Sequence, residues 1–194
     1  MVATVDSEEA ADFCSVSNNK LYGYGATEDF QYGIYISGLS GTELTDWRID
    51  ANELDDFDDQ GIRTVHMDNS TISFNRITMT GMCILVEDGS DILLMGNKGR
   101  SGSYFIHISY ANTVNATLIG NDATGSTLAY SAAAATTPYF ANNKDINGRI
   151  FQPSTLGTPT GTKLEYVAVA TWDFAVHGGA ISVIGLGVYL PDNA

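Results

Sequence analysis

Apolar and polar residues in this chain alternate in short runs and do not recur at helical spacing. Phe30, Tyr32, Ile34 and Ile36 interleave with Gln31, Gly33, Tyr35 and Ser37, and residues 38–41 then read as a turn. Residues 44–49, 62–67 and 71–79 are further strand candidates; in the last, Ile72, Phe74, Arg76 and Thr78 fall on one face. Residues 82–86 and 92–95 flank Glu87-Asp88-Gly89-Ser90-Asp91, which predicts a β-hairpin because Asp-Gly suits a tight turn. Residues 96–103 read as a loop, 104–110 and 114–119 as strands, and 120–162 as long loops with one or two weak strands. Pro138 stops the Ala132–Ala135 run from continuing as a helix.

The C-terminal pattern is the strongest. Leu164, Tyr166, Ala168, Ala170, Trp172, Phe174 and Val176 alternate with their neighbours, His177-Gly178-Gly179 turns the chain, and residues 180–190 return. The predicted hairpin is apolar on both faces near its middle, and such a strand must be covered on both sides. A homo-oligomer is therefore expected, a trimer by preference, with Trp172, Phe174, Val176, Ile184, Leu186 and Val188 at the contact. About ten strands with turn punctuation indicate an all-β fold, a jelly-roll-like β-sandwich over residues 21–194. Residues 1–20 read as an acidic arm or short helix: Ser7 caps residues 5–13, with Glu8 and Glu9 in the first turn. Tyr32–Ser37 and Tyr104–Ser109 look alike, but the likeness is too short to establish a repeat.

Charge changes the picture by being uneven. The net charge is −14. Residues 1–60 hold 14 acidic and 2 basic side chains, a net of −12, whereas residues 61–194 hold 9 and 7, a net of −2. One acidic face or arm follows, which repels phosphate backbones and anionic lipid and favours a basic partner or a cation. Nucleic acid and membrane are not expected partners. Cys14 and Cys83 form no CxxC pair and read as reduced thiols, with a single bridge the alternative. The first residues lack a signal-peptide pattern, so synthesis and action without a secretory leader are expected.

Candidate chemistry is sparse. Asp56-x-Asp58-x-Gln60-Gly61 copies the first half of a calcium loop, but its twelfth position is Met67 where a bidentate Glu belongs. Asp56, Asp58 and Gln60 are thus weak calcium candidates beside the plain reading of a solvated turn. His66, His107 and His177 lie in no zinc-binding spacing, and His107 reads as a strand residue. No GxSxG elbow is present, and Asp173, His177 and a serine make only a chance triad. Gly96–Gly102 lacks the phosphate-loop pattern and reads as a flexible hairpin tip; its Lys98 and Arg100 are also available as the basic side of a contact with the acidic third of a neighbour. Tyr22, Tyr24, Tyr32, Tyr35 and Trp47 suit a core, an interface or a sugar-holding surface. No cofactor and no catalytic residue is expected.

The leaderless start, the Gly/Ser/Thr/Asn-rich strands, the Ser131–Pro138 linker and the closing segment Val167-Ala-Val-Ala-Thr-Trp-Asp-Phe174 resemble virion structural proteins of tailed bacteriophages. The resemblance is one of overall style. It implies a non-enzymatic decoration (cement) or small tail protein, made in the host cytoplasm and bound to capsid or other virion proteins. A carbohydrate- or receptor-binding β-sandwich is the alternative expectation, and a hydrolase the third.

Overall fold

In a computed structural model, every regular element among the described residues is a β-strand. The structure describes residues 2–4, 12–23, 31–109, 113, 115–133 and 138–151. All lie in the first of two units, Met1–Leu164; the second is Glu165–Ala194. The predicted C-terminal hairpin and its six contact residues therefore lie outside the described residues.

The chain winds in rungs. β1 (Val2–Thr4), β2 (Ser15–Ser17) and β3 (Lys20–Tyr22) are followed by β4 (Tyr32–Ser37), β5 (Leu44–Thr45), β6 (Arg48–Asp50) and β7 (Glu53–Asp55). Next come β8 (Gln60–Val65), β9 (Met67–Asp68), β10 (Thr71–Ser73) and β11 (Arg76–Met79), then β12 (Met82–Glu87), β13 (Leu93–Met95) and β14 (Lys98–Ser101). β15 (Tyr104–Ser109), β16 (Thr117–Ile119), β17 (Leu128–Ala132) and β18 (Tyr139–Ala141) complete the series. Each strand pairs with its counterpart in the next rung, and every pairing is parallel. Sheet A runs β1-β4-β8-β12-β15-β17, sheet B runs β2-β6-β10-β13-β16-β18, and sheet C runs β3-β7-β11-β14; β5 and β9 form a short ladder between A and B.

This is a parallel β-solenoid, and it overturns the jelly-roll-like β-sandwich. A sandwich needs antiparallel hairpins, yet β12 and β13, the two arms of the predicted hairpin, stand in different sheets. Residues 71–79 are likewise two strands in two sheets, broken at Phe74, whose φ is 53°. In the stretch expected as an arm or short helix, Val2–Thr4 and Ser15–Ser17 pair with β4 and β6. Residues 98–101, expected as loop, form β14.

Stacking explains why these residues fold this way. In-register pairing places like on like: Ile34, Ile62, Ile84, Ile106 and Tyr130 line the interior of sheet A. Val16, Ile49, Ile72, Leu94, Leu118 and Phe140 do so in sheet B. Each fully buried aliphatic side chain contributes roughly 1.5–3 kcal/mol. At the B–C corner stands a column of asparagines, Asn19, Asn52, Asn75, Asn97, Asn121 and Asn143. From Asn52 onward, each Oδ1 accepts the backbone N–H and the Nδ2 of the asparagine one rung earlier, at 2.8–3.0 Å. Each of these Nδ2 groups also donates to an interior carbonyl such as Val16 O or Ile72 O, so the buried amides are satisfied along the stack. The residue before each one, Asn18, Ala51, Phe74, Gly96, Gly120 or Asn142, has φ between 53° and 64°, which turns the chain from sheet B to sheet C.

The last described rung closes on an aromatic group. Phe151 packs edge-on against Tyr130, with centroids 4.6 Å apart, and lies 5.2 Å from Phe140. The Tyr130 hydroxyl donates to Lys144 O at 2.8 Å, with Asn121 O at 3.1 Å.

Candidate functional site

On the outer side of sheet A the register assembles a polar and aromatic face. Tyr35, Arg63, Leu85, His107 and Ser131 stack in one column, and Ser37, Val65, Glu87 and Ser109 in the next. Arg63 is held from three sides. Its Nε donates to Glu87 Oε2 at 2.6 Å, one terminal nitrogen donates to the Tyr32 hydroxyl at 3.0 Å, and its carbon lies 5.5 and 5.3 Å from the Tyr32 and Tyr35 ring centres. The Arg63 and Glu87 side chains are only 27 % and 11 % exposed, so the pair is far better shielded from water than a surface ion pair. Glu87 and the Tyr32 hydroxyl push the guanidinium pKa up, against the opposing effect of burial. One rung beyond Glu87, and two beyond Arg63, His107 stacks on Tyr104 with centroids 5.4 Å apart. Burial lowers its pKa, with Glu87 pulling the other way, and its buried Nδ1 has no hydrogen-bond partner among the described residues.

This face leads to a cleft of about 1010 Å³ along β17, the last described strand of sheet A, lined by Tyr104, Tyr130, Ser131, Asp145, Arg149 and Phe151 among others. The Asp145 carboxylate accepts the N–H groups of Asn147 and Arg149 at 2.9 and 2.8 Å, which fixes the far wall. A smaller cleft of about 280 Å³ lies at the A–B corner between Glu43, His66, Asp68 and Asp88. There Asp68 accepts the Ser90 N–H at 2.7 Å.

The sequence-level candidates are dispersed. Asp56 and Asp58 are exposed on the corner between β7 and β8, while Gln60 is buried, its Nε2 donating to Asp59 at 2.5 Å. The half calcium loop does not converge, because Gln60 has entered a strand. No group of three or more His, Cys, Asp or Glu among the described residues is gathered to hold a metal. Trp47 is a core residue, 5 % exposed. His66 borders the small cleft, and Asp173 and His177 lie outside the described residues. Cys14 and Cys83 are both free thiols. Arg63, Glu87 and Tyr104 were missed. The signal that finds them is the recurrence of Asn52, Asn75, Asn97, Asn121 and Asn143 at separations of 23, 22, 24 and 22, which sets the rung length and hence the register.

Among the described residues no helix is long and apolar enough to cross a membrane. No curated protein and no solved structure matches the chain. A family model described as "Right handed beta helix region" matches residues 3–145, well over half of the 194 residues. With parallel sheets, stacked rungs and that match in agreement, this chain belongs to the right-handed β-helix family.

Proposed function

We propose that the chain is a non-enzymatic recognition module that holds a carbohydrate on the outer face of sheet A and in the adjoining cleft. The observation that carries the reading is the clamped Arg63, set among Tyr32, Tyr35 and Glu87 and continued by Tyr104 and His107 toward the cleft. Aromatic rings offer flat apolar faces to the C–H surface of a sugar ring, and a fixed guanidinium–carboxylate pair offers donors and acceptors to its hydroxyls. Arg63 is already ordered by three partners, so little side-chain freedom is lost on binding. Right-handed β-helices occur both in enzymes, such as pectate lyases and glycosidases, and in proteins without catalysis. The non-enzymatic reading is preferred because Glu87 is engaged by Arg63, and Asp145 by two backbone amides, instead of facing a shared reacting atom. The virion expectation rests on overall style alone, and nothing in the comparisons points to a virion.

The test is retention of the purified chain on a panel of immobilised neutral and acidic oligosaccharides. Saturable retention that Tyr104→Ala and Arg63→Ala abolish supports the reading. No retention, or cleavage of the panel sugars with turnover, overturns it.

A further inference from the structure

Four of the nine Lys and Arg residues of this acidic chain stand on the outer face of sheet C, and a fifth, Lys144, on its continuation. Lys20, Glu53, Arg76 and Lys98 are stacked in register, and bridges extend the column through Asp122 to Lys144. Arg100 lies beside it, in the column Tyr22, Asp55, Thr78, Arg100. Lys20 is paired with Glu53 at 3.0 Å and Lys144 with Asp122 at 3.4 Å. The centre is different. Arg76 and Lys98 are in-register neighbours on adjacent strands, and Arg100 projects two residues further along the strand of Lys98. Arg76 and Arg100 have no ion pair among the described residues, and Lys98 reaches only the shared Asp122, at 4.0 Å. Arg76 and Lys98 are like charges directly opposite one another, which is destabilising, and with Arg100 beside them the three favour an anionic partner in addition to the flanking Glu53 and Asp122. Lys98 is 70 % exposed while Asp122 is 18 % exposed, so the cations project beyond the acid that partly neutralises them.

The complementary group lies on the same chain. Asp56, Asp58 and Asp59 are exposed at the corner where β7 leaves sheet C, and none has an ion pair among the described residues. Asp55, next to them, shares a column with Thr78 and Arg100. Acid and base thus occupy neighbouring parts of one surface without meeting within one molecule. A twofold that lays the acidic corner of one copy on the cations of another makes the reciprocal contact at the same time, as an isologous interface requires. Tyr22, exposed on the same face, supplies an aromatic surface beside the acids.

We infer that sheet C is a self-complementary docking face, through which a second copy of this chain binds with its Asp55–Asp59 corner on Arg76, Lys98 and Arg100. The contact uses a different face from the proposed sugar site, so either can fail without the other.

Sedimentation of the full chain across concentration and salt tests it. A dimer is expected at low ionic strength that weakens at least tenfold as salt rises from about 0.01 to about 1 M, over which the screening length falls from about 30 to about 3 Å. Two charge-reversed chains decide whether sheet C is responsible. Arg76→Glu with Lys98→Glu, and separately Asp56→Lys with Asp58→Lys, are each expected to be monomeric with unchanged circular dichroism, and to form a heterodimer when mixed. A chain that stays monomeric at low salt overturns the inference. So does a dimer that both reversals leave intact, or a failure of the two folded variants to pair.

Discussion

Asn97 Oδ1 accepts both the backbone N–H and the side-chain Nδ2 of Asn75, each at 3.0 Å, so one buried oxygen joins two rungs. The Asn97 Nδ2 in turn donates to Ile72 O at 2.8 Å and to Asn121 Oδ1 at 3.0 Å. Replacing Asn97 with Ala removes bonds from groups on the two neighbouring rungs: the Asn75 N–H and Nδ2 and Ile72 O on one side, and Asn121 Oδ1 on the other. At roughly 1–3 kcal/mol for each buried polar group left unpaired, Asn97→Ala is expected to cost about 3 kcal/mol or more. Asn19→Ala, at the half-buried start of the column, is expected to cost only about 1 kcal/mol. Urea denaturation of the two variants checks the ranking; equal losses would contradict the stack.

The left-handed corners make opposite predictions at two positions. Ala51 holds φ at 53° on the surface, a conformation costing a side-chain-bearing residue about 1–2 kcal/mol. Ala51→Gly removes that strain and loses part of the gain to unfolded-state entropy, so a net gain below about 1 kcal/mol is expected. At Gly96, φ is 63°, and an added Cβ would lie 2.7 Å from two Phe74 ring atoms. Gly96→Ala should therefore destabilise, and Phe74→Ala in the same chain should recover part of the loss. A double-mutant cycle by thermal denaturation reads the coupling.

Cys83 is fully buried, and desolvation pushes its thiol pKa up to about 12. The thiolate is the reactive form, so Cys83 should resist alkylation in the folded protein and react on unfolding. Cys14 is only half-buried. Iodoacetamide with peptide mass mapping should label Cys14 first; early labelling of Cys83 would show that the core opens there.

His107 links stability to pH. Burial lowers its pKa in the fold, so the unfolded chain takes up the proton first as pH falls. Its contribution is complete above the ordinary histidine value of 6.5 and is lost as pH drops through the lowered folded value. His107→Phe keeps a ring beside Tyr104 without a titrating group. Melting temperatures from pH 8 down to about pH 5 should fall more steeply for the native chain than for the variant. Parallel curves would remove His107 from the account.

Much of the secondary structure was legible in the sequence, and the fold was not. Alternation located Tyr32–Ser37, Met82–Glu87 and Tyr104–Ser109 to within a residue or two at most, because Ile34, Ile84 and Ile106 point inward and Tyr35 and His107 outward. A period of two does not distinguish a parallel ladder from a hairpin, so Asp88-Gly89 was read as a reversal of direction when it turns the chain toward another sheet. Phe74 continued an apolar alternation that its left-handed φ breaks, which hid the division of residues 71–79 into β10 and β11. The repeat was visible in the asparagines, a residue type that otherwise reads as loop, and in the short likeness of Tyr32–Ser37 to Tyr104–Ser109, which are both strands of sheet A. The site escaped for the same reason: Arg63 and Glu87 are 24 positions apart, one rung in space.

The carbohydrate-binding face is tested most directly by NMR titration of the chain with the oligosaccharide it retains best. Resonances of the Arg63 Nε–H, the Tyr104 ring and the His107 ring should shift together and saturate at one affinity, while those of Arg76 and Lys98 on sheet C stay fixed. Shifts confined to sheet C, or none at saturating sugar, would contradict the account.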